Sequence, residues 1–387
     1  MSRVIVVGGG AAGCMAAIAA AGNGHEVILY EKNEKIGKKL FITGKGRCNV
    51  TNGCSIEELF QNVVSNAKFL YSAFYGFDNN SVCDFFEQAG CPLKRERGER
   101  IFPVSDHSSD VIRALEQKMK CLGIKVCLNS AVENLLTEEN KISGVILKGG
   151  KQKGCDAVVL ATGGLSYPLT GSTGDGYRFV RECGMTVTDI RPALVPLEIE
   201  GELCRRLQGL SLKNVSVRLS CQKKMLYEGF GEMLFTHFGV SGPLILTASS
   251  YYAKAKIEGK CLLELDLKPA LSLEQLDKRL LRDFEDNRKK QFKNALGGLF
   301  PAKLIPVMLE QSGIDPEKKV QDITREERRR FAEQMKCLTF SVSGTREIKE
   351  AIITQGGVST KEVNPSTMES KKCRDFIWQE NYWIWMR

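Results

Sequence analysis

Hydrophobic period changes repeatedly along this chain. Arg3–Val7, "RVIVV", is a continuous β-branched run, the mark of a strand buried on both faces. Glycines follow, then an Ala-rich run to Ala21 that favours helix, then "EVILYEK", a second apolar run ending at Glu31. Strand, glycines, helix, strand predicts a parallel βαβ unit. At "DAVVLATGG" a second buried strand stops in Thr162-Gly163-Gly164. From Val215 to Leu267 the texture shifts to short apolar stretches broken by turns, predicting a set of short strands. Ser272 then opens a helical period. Ser272-x-x-Gln275 has the form of a capping box, and Leu273, Leu276, Leu280, Leu281 and Phe284 form one apolar face. Thr324-x-x-Glu327 caps another helix.

Composition narrows the class. With 387 residues, 43% hydrophobic and 26% charged, the chain is globular and long enough for two or three domains. No window reaches 18 uninterrupted apolar residues, so no membrane partner is expected. "MSRVIVVGGG" reads as a strand entering a turn, not a leader peptide. The 14 cysteines are scattered, without CxxC spacing, and Cys48 and Cys54 lack a nearby histidine. That pattern predicts reduced thiols, a cytoplasmic protein and no metal site. The net charge of +9 fits either nucleic acid or an anionic cofactor. Its one dense cluster, "REERRR" at Arg325 to Arg330, reads as solvated helix surface, so nucleic acid is not the expected partner.

Candidate chemistry lies in three glycine-rich stretches. The first contains Gly8-x-Gly10-x-x-Gly13. Gly8 permits the tight turn, Gly10 lets a diphosphate approach the backbone, and Gly13 lets the helix opened by Ala11 and Ala12 pack on the sheet. The helix N-terminus then faces the phosphates. Glu31, 18 residues beyond Gly13, suits a ribose diol, with Lys32 beside it. The second stretch is "GKKLFITGKGRCNVTN", Gly37 to Asn52. It offers Lys38, Lys39, Lys45 and Arg47 as anion partners, and Thr43, Gly44, Gly46, Cys48, Asn49, Thr51 and Asn52 around them. A nicotinamide domain would continue straight into its next βα unit, so this loop suits a larger dinucleotide lying across the sheet. The third is "DAVVLATGGLSYPLTGSTGDGY", with Ala161, Thr162, Gly163, Gly164, Gly174 and Asp175 as contacts. Strand, ATGG, loop is the pattern of FAD-binding Rossmann proteins where the chain returns to the nucleotide. Val132 joins the candidate set.

Together with "GERIFPVSD", "PALVPL", "GEMLFTHFGVSGP" and "TQGGVSTKEVNPSTMESK", these stretches resemble the bacterial aminoacetone-oxidase-like, or BaiN-like, FAD-dependent oxidoreductases, from Arg3 to about Lys372. The resemblance implies an α/β fold: an FAD/NAD(P)-binding Rossmann-like domain, discontinuous, with an inserted β-barrel-like plus helical domain. Expected bounds are 1–191 for the first part, 192–338 for the insertion (β-rich 192–270, helical 271–338) and 339–372 for the return. Gly356 and Gly357 are expected to approach the flavin ring.

The last residues depart from that pattern. All three tryptophans, Trp378, Trp383 and Trp385, fall in "RDFIWQENYWIWMR". In the resembling proteins a segment like "xxPGLYxAGExLDxDG" follows "TMESK" and completes the flavin site. Reading the codons of Lys372 to Met386 one base out of phase forces Ala, Leu, Leu, Asp and Asp at matching places, and permits V-P-G-L-Y-L-A-G-E-L-L-D-M-D. The expectation is that 373–387 is an out-of-frame tail, that FAD binding is weakened, and that the tryptophans adsorb on exposed apolar surface.

A flavin would carry the redox step. No second strand–GxGxxG–helix occurs, so NAD(P)H is expected at most as a transient electron donor. The expected function is flavin-mediated hydride transfer on a small organic substrate, either amine or aminoketone oxidation or reduction of a C=C or carbonyl compound. The alternatives are an FAD-dependent tRNA-modifying protein, favoured by the +9 charge, and an inactive flavin-binding remnant. His237 is a candidate acid or base, Arg100 a candidate partner for an anion, and Cys48 a candidate thiol partner of the flavin. The sequence does not fix the oligomeric state.

Overall fold

The computed structural model describes residues 1–257 and 259–379. The chain divides into two compact units, residues 192–352 and the segments on either side of them.

The first unit is built on a five-stranded sheet in the order Phe376–Trp378, Ala157–Leu160, Arg3–Val7, Glu26–Tyr30, Lys125–Cys127, all pairs parallel. The β-branched run predicted its central strand because both faces are covered. Val4 and Val6 join Cys14, Ala17 and Ile18 of the helix Ala11–Gly22 in one core. Ile5 and Val7 join Val158, Leu160, Tyr177 and Phe179 in the other. Two small antiparallel sheets complete the unit. One pairs Thr51–Asn52 with Arg100–Pro103 and Leu93–Glu96. The other runs Val132–Glu138, Lys141–Leu147, Gln152–Gly154.

The tail expected from residue 373 is folded into this unit as far as it is described. Phe376–Trp378 adds a parallel strand beside Val158–Leu160, and Cys373, Phe376 and Trp378 are buried. Trp378 is therefore core, not an adsorbed surface side chain. Main-chain pairing asks only for an extended, apolar segment, and Phe-Ile-Trp supplies one. Trp383 and Trp385 lie outside the described residues.

The second unit contains a closed barrel in the order Leu197–Ile199, Gly239–Ser241, Lys224–Phe235, Ser211–Cys221, Cys261–Asp266, Leu338–Thr345. The expected short strands are instead a long hairpin of 11 and 12 residues. Its two-residue turn is Gln222-Lys223, at φ 49° and 66°, the left-handed pair that matches strand twist. The return expected at residue 339 comes at 353. Leu338–Thr345 pairs with Cys261–Leu265 on one side and Leu197–Ile199 on the other, so the barrel cannot close without it. Both capping boxes are present, Ser272 with Gln275 and Thr324 with Glu327. On the first of these helices Leu276, Leu280 and Phe284 are buried and Leu273 is half-buried, but Leu281 is 52% exposed. Leu281 follows Leu280 by one residue, about 100° round the helix, and so falls off the stripe.

Two further expectations are corrected or given physical content. The thiols are not all free: Cys221 and Cys261, facing each other on adjacent barrel strands, form a disulfide. The arginine cluster is helix surface, with Arg328 forked onto Asp277 and Arg329 paired with Glu333. No helix among the described residues is long and apolar enough to cross a membrane. The packing predicts a contrast. Phe331→Ala, at a fully buried ring touching Phe292 and Phe300, should cost about 3–5 kcal/mol. Leu281→Ala should stay within about 0.5 kcal/mol in the same urea titration, because its side chain is already in water.

Candidate functional site

A groove opens at the carboxyl ends of the first unit's strands and is lined by the glycine-rich stretches. Its floor is set by close backbone contacts. Gly8 sits at φ 106°, and a β-carbon there would lie 2.4 Å from Ala161 O. One on Gly13 would lie 1.8 Å from Gly8 O. At Gly10 a β-carbon would meet nothing within 4 Å, so open space stands before the backbone at the point where a diphosphate must approach. No side chain caps the helix that begins at Ala11, so its N-terminal dipole faces that space without a competing group.

Glu31 follows the second strand directly and is 7% exposed. It accepts from Gly9 N at 2.6 Å and from Asn33 N and Nδ2 at 2.8 and 2.6 Å. These bonds fix the carboxylate at the groove edge, and its remaining lone pairs can still accept from a diol. Asn33 also donates to Thr170 O at 3.1 Å, tying the acidic corner to the opposite lip. Asn33 was not among the sequence candidates; its place two residues after the acid was the available signal. Lys32 bonds Thr173 Oγ1 at 2.5 Å and Asp175 Oδ2 at 2.7 Å. Burial alone would raise the Asp175 carboxyl, but the Lys32 ammonium and Thr173 hydroxyl outweigh it and hold it below the usual carboxylate range.

Thr162 lines the groove with a buried hydroxyl that finds no partner among the described residues. Gly176 makes room for it, since a β-carbon there would lie 2.2 Å from Thr162 Oγ1. The hydroxyl is turned toward Gly176, which does not line the groove, and it is closed off from solvent. Together the open backbone at Gly10 and the fixed acid fit a diphosphate and a ribose, the part of FAD that a Rossmann helix N-terminus meets.

The remaining candidates divide. Gly8, Gly10, Ala11, Glu31, Lys32, Lys39, Thr43, Cys48, Asn49, Val132, Ala161, Thr162, Gly163 and Asp175 line the groove. Ala12, Gly13, Gly44, Lys45, Gly46, Arg47, Thr51, Asn52, Gly164, Gly174, Gly356 and Gly357 do not. Several of these hold the walls instead. Thr51 and Asn52 form a strand with Arg100 and Ile101, and Asn52 bonds Gly98 O and Cys54 N. Gly164 packs against Thr354, whose hydroxyl accepts from Leu165 N and Ser166 N. Gly174, at φ 80°, is the N-cap of the helix begun by Asp175. Gly356 presses on Asp189 O and Gly357 exchanges hydrogen bonds with Thr188, so this pair is spent on the segment before the barrel. Arg47 is committed to Glu96 and Asp106, not left free for an anion.

The candidate reactive side chains fare differently. Burial pushes the Cys48 thiol up to about 11, so it is no thiolate partner for a flavin at neutral pH. Arg100 is exposed on the middle strand of the three-stranded sheet. His237 is exposed in a turn of the second unit, edge-on to Phe238 at 4.9 Å. Among the described residues no cluster could hold a metal ion.

Fold and groove are those of an FAD-dependent oxidoreductase. Residues 2–378 match the family described as HI0933-like protein Rossmann domain, and the chain belongs to that family. It is 30% identical over 96% of its length to the 3-dehydro-bile acid delta(4,6)-reductase of Clostridium scindens, covering 90% of that protein. It is 28% identical over 96% to the ribosomal RNA dihydrouridine synthase of Haemophilus influenzae, covering 89% of it. Among solved structures, a quinol-fumarate reductase with menaquinol molecules aligns over 97% of this chain and 64% of that one, at 16% identity and a TM-score of 0.47.

Two predictions follow from the groove's construction. Gly13→Ala should abolish FAD uptake, read as loss of flavin colour after desalting, because a methyl cannot fit against Gly8 O. The Asp175 carboxyl is held low in the folded state, so its ion pair stabilises above the usual carboxylate range and is lost as pH falls. Asp175→Asn should therefore lower the melting temperature at pH 7, and the gap to the parent should narrow as pH falls below the usual carboxylate range.

Proposed function

We propose that this chain is an FAD-dependent reductase of a carbon–carbon double bond conjugated to a carbonyl. The observation that carries the cofactor part of the reading is the groove's lining, which brings Gly10, Glu31, Lys39, Thr43 and Asn49 to one site. The names of the two relatives support the direction of the chemistry. One is a delta(4,6)-reductase of a 3-dehydro bile acid, and the other makes dihydrouridine, which is uridine with one ring double bond saturated. Both names describe adding a hydride equivalent to one carbon and a proton to its neighbour.

Bound FAD would supply the two-electron redox chemistry. The chain's own residues would hold it: the Gly10 backbone and helix N-terminus at the diphosphate, Glu31 at the ribose, and Asn49 along the polar chain. Arg100 and His237 stay proposals for an anionic group and for a proton; neither is among the residues that line the groove. Reducing equivalents would come from NAD(P)H, and, since the sequence has no second strand–GxGxxG–helix, it would bind transiently. The substrate would be a small molecule. An RNA uracil is the second reading, and it now points to ribosomal rather than transfer RNA because two relatives carry that name.

The test begins with the purified chain, FAD added and the excess removed. A retained flavin spectrum, bleached by NADH or NADPH without oxygen and restored by a conjugated enone, is the expected result. Restoration only by uridine-containing RNA would move the reading to that substrate. Bleaching by aminoacetone, with colour restored by oxygen, would reverse the direction of the chemistry. A colourless protein would mark a chain that no longer holds its flavin.

A further inference from the structure

The most contorted segment beside the groove is Gly44–Cys48. Gly44, Lys45, Gly46 and Cys48 all have positive φ, 59°, 59°, 85° and 58°. Two of these are not glycine, and an L side chain there crowds its own backbone, so the surroundings must hold the conformation. Inside the segment the hold is thin: Arg47 N reaches Gly44 O at 3.3 Å and Cys48 N reaches Thr43 O at 3.0 Å.

The Arg47 side chain supplies the rest. Nη1 donates to Glu96 Oε2 at 3.2 Å and Nη2 to Glu96 Oε1. Nε donates to Asp106 Oδ1 at 2.8 Å, and the guanidinium lies 4.2 Å over the Phe102 ring. Lys94 bonds the other Asp106 oxygen at 2.6 Å and stands 3.8 Å from Glu96. The four charges cancel, and both carboxyls are held below their usual range, Glu96 by Arg47 and Asp106 by Lys94 and Arg47. An isolated surface pair would contribute little. Here a planar fork is seated on two carboxylates and stacked on a ring, which fixes its geometry and leaves no donor edge for a phosphate.

We propose that Arg47 is a positioning residue: its fork, seated on Glu96, Asp106 and Phe102, pins the left-handed loop in the form from which Thr43, Cys48 and Asn49 wall the cofactor groove. All three line that groove. The inference deepens the FAD reading of the groove and rests on it.

The experiment measures hydrogen exchange of amides 44–49 in the cofactor-free protein and, separately, the FAD dissociation constant. In Arg47→Gln the loop amides should exchange at least about tenfold faster, while the amides of Arg3–Val7 keep their protection. The dissociation constant should rise about thirtyfold, the scale of releasing two strained residues. Arg47→Lys, a point charge without the fork, should fall between parent and Arg47→Gln. The double variant Glu96→Gln with Asp106→Asn should reproduce the effect with Arg47 intact, and it decides the matter if Arg47→Gln does not fold. Unchanged loop exchange, or a loosened loop with unchanged FAD affinity, would overturn the proposal. A parent chain that takes up no FAD would overturn the cofactor reading beneath it. That failure is distinguishable, because exchange is read without FAD.

Discussion

The first unit depends on one backbone contact. Where Gly8, Gly13 and Ala161 meet, main chain lies against main chain with no room for a β-carbon. That approach fixes the distance between the Ala11–Gly22 helix and the sheet, and it brings the strand ending at Leu160 alongside Arg3–Val7. The helix N-terminus and the open backbone at Gly10 are placed as a consequence. A wider contact would still bury apolar side chains, but the polar groups of the groove would no longer converge.

Charge in this site is used mainly to hold structure. Lys32 bridges two lips of the groove through Thr173 and Asp175, and Glu31 is held by Gly9 and Asn33. Arg47 is consumed by two carboxylates. Basic residues in a glycine-rich loop look like anion ligands in sequence because their partners lie far along the chain. Glu96 and Asp106 are 49 and 59 residues away from Arg47, and nothing local announces them. The cofactor would be met largely by backbone and small polar groups, which leave room for it.

Much of the architecture was legible because it is local. The parallel βαβ start, both capping boxes and the third glycine stretch rest on residues within a few positions of each other. The places where sequence reading failed are non-local. Leu338–Thr345 looked like a return to the first unit but closes the barrel, because both its pairing partners come from elsewhere in the chain. Leu281 looked apolar enough for the core but lies off the buried stripe.

The sequence by itself determined the class of nucleotide fold, because a glycine that must have no β-carbon, and an acid at the end of the next strand, can be read without knowing what surrounds them. Only the tertiary structure decided which polar residues face the groove and which hold it. A side chain's partner is set by what the fold brings within about 3 Å of it, and hydrogen-bond geometry at that range is not encoded by any single stretch of chain.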